Sequence, residues 1–200
     1  MRVLARSGAV RAGLALAALL LSAATAAAEA GVTLDNSRIA ALEYGLACPL
    51  RIVGSEAAPG TENGRVDIFD GAPQFLDTGG VVPAALGISF GVRAWAQEGA
   101  PALSVTIRSL HPPFAGTGTS VQTFASSIAA GSPMTHIYTF DMPHEAAPGL
   151  WRLEAEAEGK LLYSVPFQVV PEAAYDGPLP ACDTPPVLGR APAPRNGGPA

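Results

Sequence analysis

Two runs of alternating residues meet at a turn between Pro148 and Val170, and this pattern constrains the fold more than any other in the chain. A β-strand sends successive side chains to opposite faces, so sustained alternation is typical of a strand with one buried face. The apolar positions of the two runs are Trp151, Leu153, Ala155 and Ala157, followed by Leu161, Tyr163, Val165, Phe167 and Val169. Between the runs, Gly159 supplies the residue that a tight reversal needs. The segment therefore predicts a β-hairpin, with Trp151 in the core of an all-β domain.

The first 28 residues have the features of a secretory signal peptide. Arg2, Arg6 and Arg11 give a positively charged start, residues 12–24 are an apolar run of Ala and Leu, and small residues follow at 26–28. We predict a signal peptide over 1–28 with cleavage after Ala28; cleavage after Ala26 and an uncleaved N-terminal anchor are the alternatives. The apolar run is shorter than the roughly 20 residues that a membrane-spanning helix needs. The mature protein is therefore expected to be periplasmic or secreted, with no stable membrane span after cleavage.

The charge balance indicates an acidic mature protein. The sequence contains 12 Lys+Arg and 17 Asp+Glu, and three of the arginines fall within the predicted signal peptide. A nucleic-acid-binding protein usually carries a basic surface, and no basic cluster is visible in this chain, so nucleic-acid binding is not expected. The 22 Gly and 19 Pro residues favour a loop-rich β domain over a helical one.

The alternating segments predict one immunoglobulin-like antiparallel β-sandwich of seven or eight strands, covering residues 29–175. Besides the hairpin, strands are predicted at 38–47, 65–70, 74–81, 87–97, 103–108 and 135–142. Residues 55–64 and 82–86 are predicted to form loops, and 114–132 an irregular segment. From 176 to 200 the chain is rich in Pro and Gly without an apolar period, which predicts a disordered tail.

The chain contains two cysteines, Cys48 and Cys182. In an oxidising compartment an even pair is expected to form a disulfide, which would tie the tail to the domain. A redox-active or metal-binding pair is the competing interpretation, and such sites usually have closer spacing. We therefore predict a Cys48–Cys182 disulfide.

The sharpest candidate for a chemical site combines Met134, His136, Met142 and His144. Thioether and imidazole groups together are ligands that copper-handling proteins use, so a periplasmic copper-handling protein is the alternative function. On one uninterrupted strand, however, His136 and Met142 would lie ~20 Å apart. We therefore expect the methionines to be apolar filler and predict no metal and no other cofactor.

Several short motifs follow one another in a defined order. They are Glu43-Tyr44-Gly45, Val82-Pro83-Ala84, Phe140-Asp141-Met142-Pro143-His144-Glu145, Pro148-Gly149-Leu150-Trp151 and Gly159-Lys160-Leu161. Their order over 38–171 resembles an uncharacterised exported bacterial family that is known only as a domain of unknown function and is expected to be immunoglobulin-like. The resemblance supports the fold and implies no catalytic residues.

The sequence has no nucleophile elbow, zinc-binding helix motif or phosphate-binding loop motif. We therefore expect a non-catalytic binding or accessory module of the bacterial envelope. Its expected partner is an unknown envelope protein or cell-surface component, and no motif indicates which residues bind it.

Overall fold

The computed structural model describes residues 31–77 and 79–177. The predicted signal peptide and Cys182, together with most of the predicted tail, lie outside these residues. In the described part the chain forms twelve strands and a short 3-10 turn at Glu172–Ala174. The strands are β1 (Thr33–Leu34), β2 (Ile39–Ala47), β3 (Arg51–Ala57), β4 (Arg65–Asp70), β5 (Phe75–Asp77), β6 (Val81–Ala84), β7 (Ser89–Ala96), β8 (Leu103–Leu110), β9 (Val121–Ile128), β10 (Met134–Thr139), β11 (Gly149–Ala157) and β12 (Lys160–Pro171).

Two sheets form a sandwich, and a separate hairpin extends from it. The first sheet has the order β1-β12-β11-β8-β9, with β6 also paired to β12, and the second has the order β10-β7-β2-β5. Strands β3 and β4 pair with each other as a two-stranded hairpin, called the arm below. In the described residues every pairing is antiparallel except that of β6 with β12. The predicted all-β antiparallel sandwich is therefore confirmed.

Strands β11 and β12 form the hairpin that the alternating pattern predicts. Trp151 pairs with Phe167, and the register shifts at a bulge between Ala155 and Glu156. The reversal places Glu158 and Gly159 at φ 52° and 72°, and glycine adopts such left-handed backbone without the steric penalty of a Cβ. All the apolar residues of β11 from Trp151 to Ala157 are buried, so one face of the hairpin enters the core as expected. The predicted inward position of Leu161 is wrong, because the bulge exposes Leu161 and buries Leu162.

The core lies between the two sheets and is rich in aromatic rings. Phe90 of the second sheet meets Phe167 and Trp151 of the first at centroid distances of 4.9 and 5.6 Å, both edge-on. Burying each such side chain contributes roughly 1.5–3 kcal/mol before conformational entropy is considered. These rings hold the two sheets together.

Four segments differ from the sequence predictions. Strand β9 crosses the segment predicted to be irregular, β6 occupies part of the predicted 82–86 connection, and β3 extends into the predicted 55–64 loop. The predicted strand over 135–142 is shorter, since β10 ends at Thr139. In β9 the inward-facing residue Gln122 is polar, and its side chain is buried because it is hydrogen-bonded. The strand therefore lacks the regular alternation of apolar residues from which a strand is predicted.

None of the helical turns in the described residues is long and apolar enough to cross a membrane.

Candidate functional site

A cleft of about 600 Å³ opens between the edge strands of the two sheets and the arm. Strands β9 and β10 are consecutive in the chain but belong to different sheets, so the sandwich is open between them. Strand β4 of the arm forms the third wall, and the floor includes Ser109, His136 and Tyr138. The walls mix aromatic rings with many hydroxyl, amide and carboxylate groups, so a ligand there would make largely polar contacts.

The tip of the arm is fixed to the start of β9. The backbone N–H of Thr123 donates to the carbonyl of Gly60 at 2.8 Å, and the N–H of Glu62 donates to the side-chain oxygen of Gln122 at 2.7 Å. A Cβ on Gly60 would lie 2.5 Å from the carbonyl oxygen of Thr123, so only glycine permits this approach. The arm is therefore anchored across one end of the cleft.

The carboxylate of Glu62 provides a second attachment for the arm tip. It lies 3.2 Å from Nε2 of His144. Hydrogen bonds from Thr119, then Thr117 and His144, hold the pKa of Glu62 below its usual range even though burial acts in the opposite direction. The ionised carboxylate therefore ties the arm to two different loops of the sandwich.

A chain of buried hydrogen bonds fixes the adjoining end of the cleft. The side-chain amide of Gln122 donates to the Tyr138 hydroxyl at 2.9 Å and lies 3.2 Å from Nε2 of His111. The Tyr138 hydroxyl in turn reaches Glu145 at 3.3 Å. The other carboxylate oxygen of Glu145 accepts the backbone N–H groups of Asp141 and Met142, both at 2.9 Å. These polar side chains are thus engaged in holding the turn that follows β10.

His136 lies at the floor of the cleft and is fully buried. Its Nε2 lies 3.0 Å from the hydroxyl of Ser109, its ring meets Phe124 edge-on at 5.8 Å, and its Nδ1 has no hydrogen-bond partner among the described residues. Burial lowers the pKa of His136 to about 3, because an imidazolium cannot be solvated there. The ring is therefore neutral at physiological pH and is a weak base.

We expect this neutral imidazole to make the protein less stable as the pH falls from 6.5 to 5. The unfolded chain takes up a proton with a pKa near 6.5, while folded His136 does not until about pH 3, so protonation favours unfolding across this window. The free energy of unfolding should drop by about 2 kcal/mol from this group. Burial also lowers the pKa of His111, which adds a change of the same sign.

Urea unfolding at several pH values measures this dependence, with His136→Gln and His111→Gln separating the two contributions. His136→Gln should flatten the curve more than His111→Gln does, because His136 is the more deeply buried of the two rings. A stability that stays constant from pH 6.5 to 5 would contradict the burial of a neutral His136.

The Met and His residues that the sequence suggested as copper ligands have different surroundings. Met134 is buried in the core, and His136 contacts Ser109 and Phe124. His144 instead contacts Glu62 and the ring of Phe114. Within the described ranges no group of three or more His, Cys, Asp and Glu side chains is arranged to hold a metal ion. The geometry therefore does not favour the copper-handling alternative.

Sequence reasoning missed the cleft because its walls come from three separate segments. Strand β9 was predicted to be irregular, and the arm was divided between a predicted loop and a predicted strand. The sequence signal for the cleft was the presence of the polar residues Gln122 and Glu145 beside apolar residues. The structure shows that both side chains are buried. Buried polar side chains require partners, and here those partners surround the cleft.

The two packed sheets, with edge-on and tilted aromatic rings between them, define an immunoglobulin-like β-sandwich. The chain belongs to the family described as Domain of unknown function (DUF3859), whose sequence pattern matches residues 38–169, well over half of the chain. The resemblance to an uncharacterised family with an immunoglobulin-like fold is thereby confirmed.

Solved structures that are similar to this chain include the following two. An immunoglobulin-like protein from Pseudomonas aeruginosa is 24% identical with a TM-score of 0.45, and the match covers 72% of this chain and 99% of that protein. An alkylpurine DNA glycosylase from Pseudomonas fluorescens, bound to DNA with an abasic site analog, is 21% identical with a TM-score of 0.31, and the match covers 46% of this chain and 28% of that one. A comparison with curated protein sequences gives no match.

Proposed function

We propose that the protein is a non-catalytic binding module of the bacterial envelope, exported by its N-terminal segment, and that it takes its ligand in the cleft between β9, β10 and β4. The observation that carries this proposal is the cleft itself, which is wide enough for a ligand and has walls fixed by buried hydrogen bonds. A preformed site of this kind loses little conformational entropy when it binds. The expected partner is an envelope protein or a cell-surface component.

The state of the polar groups in and beside the cleft supports binding over catalysis. A general base works best when its pKa is near the operating pH, whereas burial lowers the pKa of His136 to about 3. The ring of His111 stacks against the rings of both Phe114 and Trp151, at centroid distances of 3.8 and 4.6 Å. Glu145 is buried and accepts two backbone N–H groups. These side chains serve the structure of the site.

We expect a bulky side chain at Ser126 to abolish ligand capture without unfolding the protein. Ser126 is half-buried on the face of β9 that lines the cleft, so Ser126→Trp fills part of the cavity. Ser104→Trp makes the same change at an exposed position of β8 that lies outside the cleft and is the matched control. The measurement is capture of envelope proteins and cell-wall fragments from a periplasmic extract by the immobilised mature protein.

Material that the wild type and Ser104→Trp retain should be lost with Ser126→Trp. Equal capture by all three proteins would show that the cleft is not the binding site. Melting temperatures near that of the wild type establish that both variants are folded.

A further inference from the structure

The outer edge of β9 has backbone groups that are not used by its own sheet. His111 N–H donates to Ser120 carbonyl where β8 and β9 meet, and hydrogen-bonded pairs alternate along an antiparallel ladder. Gln122, Phe124 and Ser126 therefore bond to β8, while the N–H and C=O groups of Thr123, Ala125 and Ser127 point away from it.

The arm already occupies the first of these outward positions. Thr123 donates its outward N–H to Gly60 at 2.8 Å, which confirms the direction in which this edge faces. The outward backbone groups of Ala125 and Ser127 have no backbone hydrogen-bond partner among the described residues. Both residues line the cleft, so the free edge opens directly into it.

The facing wall of the cleft is a second strand edge. In the described chain β4 pairs with β3 alone, and its residues from Arg65 to Phe69 line the cleft without interruption. The space between β9 and β4 is therefore bounded on both sides by extended backbone. Such a space suits another extended chain, because main-chain hydrogen bonds can then form along its length.

The charge of the cleft indicates which side chains a bound extended polypeptide would carry. Among the described lining residues the carboxylates are Glu56, Asp67, Asp141 and Glu145, against the guanidinium of Arg65. Burial, then the neighbouring charge of Asp67, raises the pKa of Asp141, and Arg65 opposes this only in part. A cation in the cleft would relieve the repulsion between Asp67 and Asp141.

We propose that the ligand is an extended polypeptide segment with basic side chains, which adds to the first sheet as a new strand beside Ala125 and Ser127. This inference rests on the proposed function, since it names the class of ligand for the same cleft. The backbone of the segment bonds to the free edge of β9, and its Lys or Arg side chains face Asp67 and Asp141. Binding should weaken as salt is added, because partly exposed charges are screened.

The test uses a fluorescent peptide of alternating threonine and lysine, with binding to the full mature protein followed by anisotropy. Two control peptides isolate the two sources of affinity: one has glutamate in place of lysine, and the other has N-methylated amides on its pairing edge. We expect the lysine peptide to bind and both controls to bind at least about tenfold more weakly, the loss expected for one or two hydrogen bonds or charge contacts.

The matched protein variants are Ala125→Pro and Ala125→Val. Proline removes the outward N–H of Ala125 but leaves the ladder with β8 intact, because that N–H is not part of the ladder. Valine retains the N–H at the same exposed position. Proline should reduce peptide affinity about tenfold or more, and valine should retain it.

A second pair of variants tests the charge of the cleft. Asp67→Asn should weaken peptide binding as well, and Glu98→Gln, which lies outside the cleft, is the charge control.

Hydrogen exchange provides the readout that a purely structural effect would not give. On peptide binding, the amide protons of Ala125 and Ser127 should become protected, while that of Phe124, already bonded to β8, should change little. Melting temperatures again verify that Ala125→Pro is folded.

Several results would overturn the inference and leave the proposed function standing. In one such result, Ser126→Trp abolishes the capture of envelope material, but the lysine peptide does not bind to the wild type. In a second, Ser126→Trp again abolishes capture, but the lysine peptide binds to Ala125→Pro as well as to Ala125→Val. Another is dimerisation of the peptide-free protein that Ala125→Pro prevents, since it would assign the edge to a second copy of the chain. If Ser126→Trp leaves both capture and peptide binding unchanged, the proposed function itself fails.

Discussion

Replacing Trp151 with alanine is expected to lower the free energy of unfolding by about 3–5 kcal/mol, the range for deleting a large buried aromatic side chain. The indole is fully buried and packs against Phe90, Tyr138 and Phe140 at centroid distances of 5.6, 4.9 and 5.5 Å. Its Nε1 also donates to the carbonyl of Ala147 at 2.9 Å. Alanine would leave a cavity between the sheets and that carbonyl without its donor. Urea unfolding followed by circular dichroism measures the change.

Trp95→Ala is the matched control, because this second tryptophan lies half-buried on the outer face of the second sheet. Its main polar contact is the guanidinium of Arg93, 4.8 Å from the ring centroid, so the expected cost is roughly 1 kcal/mol. If Trp151→Ala does not fold, Trp151→Phe gives the same comparison with a smaller cavity. A cost for Trp151→Ala no larger than that for Trp95→Ala would show that the ring does not support the core.

The second large effect concerns the two cysteines. Cys48 follows the last residue of β2, Ala47, which pairs with Ser89 at the start of β7. A short connection leads back from Ser89 to Ala84 at the end of β6, and Ala84 pairs with Pro171 at the end of β12. Cys48 and the end of β12 therefore lie at the same end of the sandwich.

From Gly177 the chain needs five residues to reach Cys182, a length that spans at most about 18 Å when fully extended. The Cys48–Cys182 disulfide stays a prediction, because Cys182 lies outside the described residues. The bond would close most of the domain into one loop, which stabilises by up to ~5 kcal/mol in the chain-entropy model.

We expect protein isolated from the periplasm to contain no free thiol when it is denatured without reductant. Reduction should lower its melting temperature, and the double variant Cys48→Ser with Cys182→Ser should melt at the temperature of the reduced wild type and be insensitive to reductant. Two titratable thiols in the unreduced protein would show that the bond does not form.

The sequence predicted those parts of the fold in which burial follows a simple period. Strands β7, β8, β11 and β12 bury alternate apolar side chains over most of their length, so alternation identified them and placed Trp151 in the core. The packing of these strands as two layers also follows, since one buried face on each strand requires a facing layer, whereas the order of the strands within each sheet does not.

The cleft could not be predicted in the same way because its construction depends on polar side chains that meet only after folding. Gln122 is buried because Glu62, His111 and Tyr138 bind it, and these residues come from three distant segments. The strand character of β9 likewise derives from pairing with β8 and not from its own Ser and Thr residues. A periodicity argument reads each segment alone and therefore cannot detect either feature.

The pairing of β12 with both β1 and β6 has a consequence for the kinetics of folding. The local hairpin of β11 and β12 can form on the microsecond scale, but β1 pairs with β12 from the opposite end of the described chain, and β6 pairs with it in parallel after a long connection. Contacts of such large sequence separation slow folding, because the entropy of closing the loop is lost before the contact is gained. Since β12 is the last strand of the described chain, β1 and β6 remain without their partner until β12 is in place, and a chaperone that shields their unpaired backbone would act during that interval.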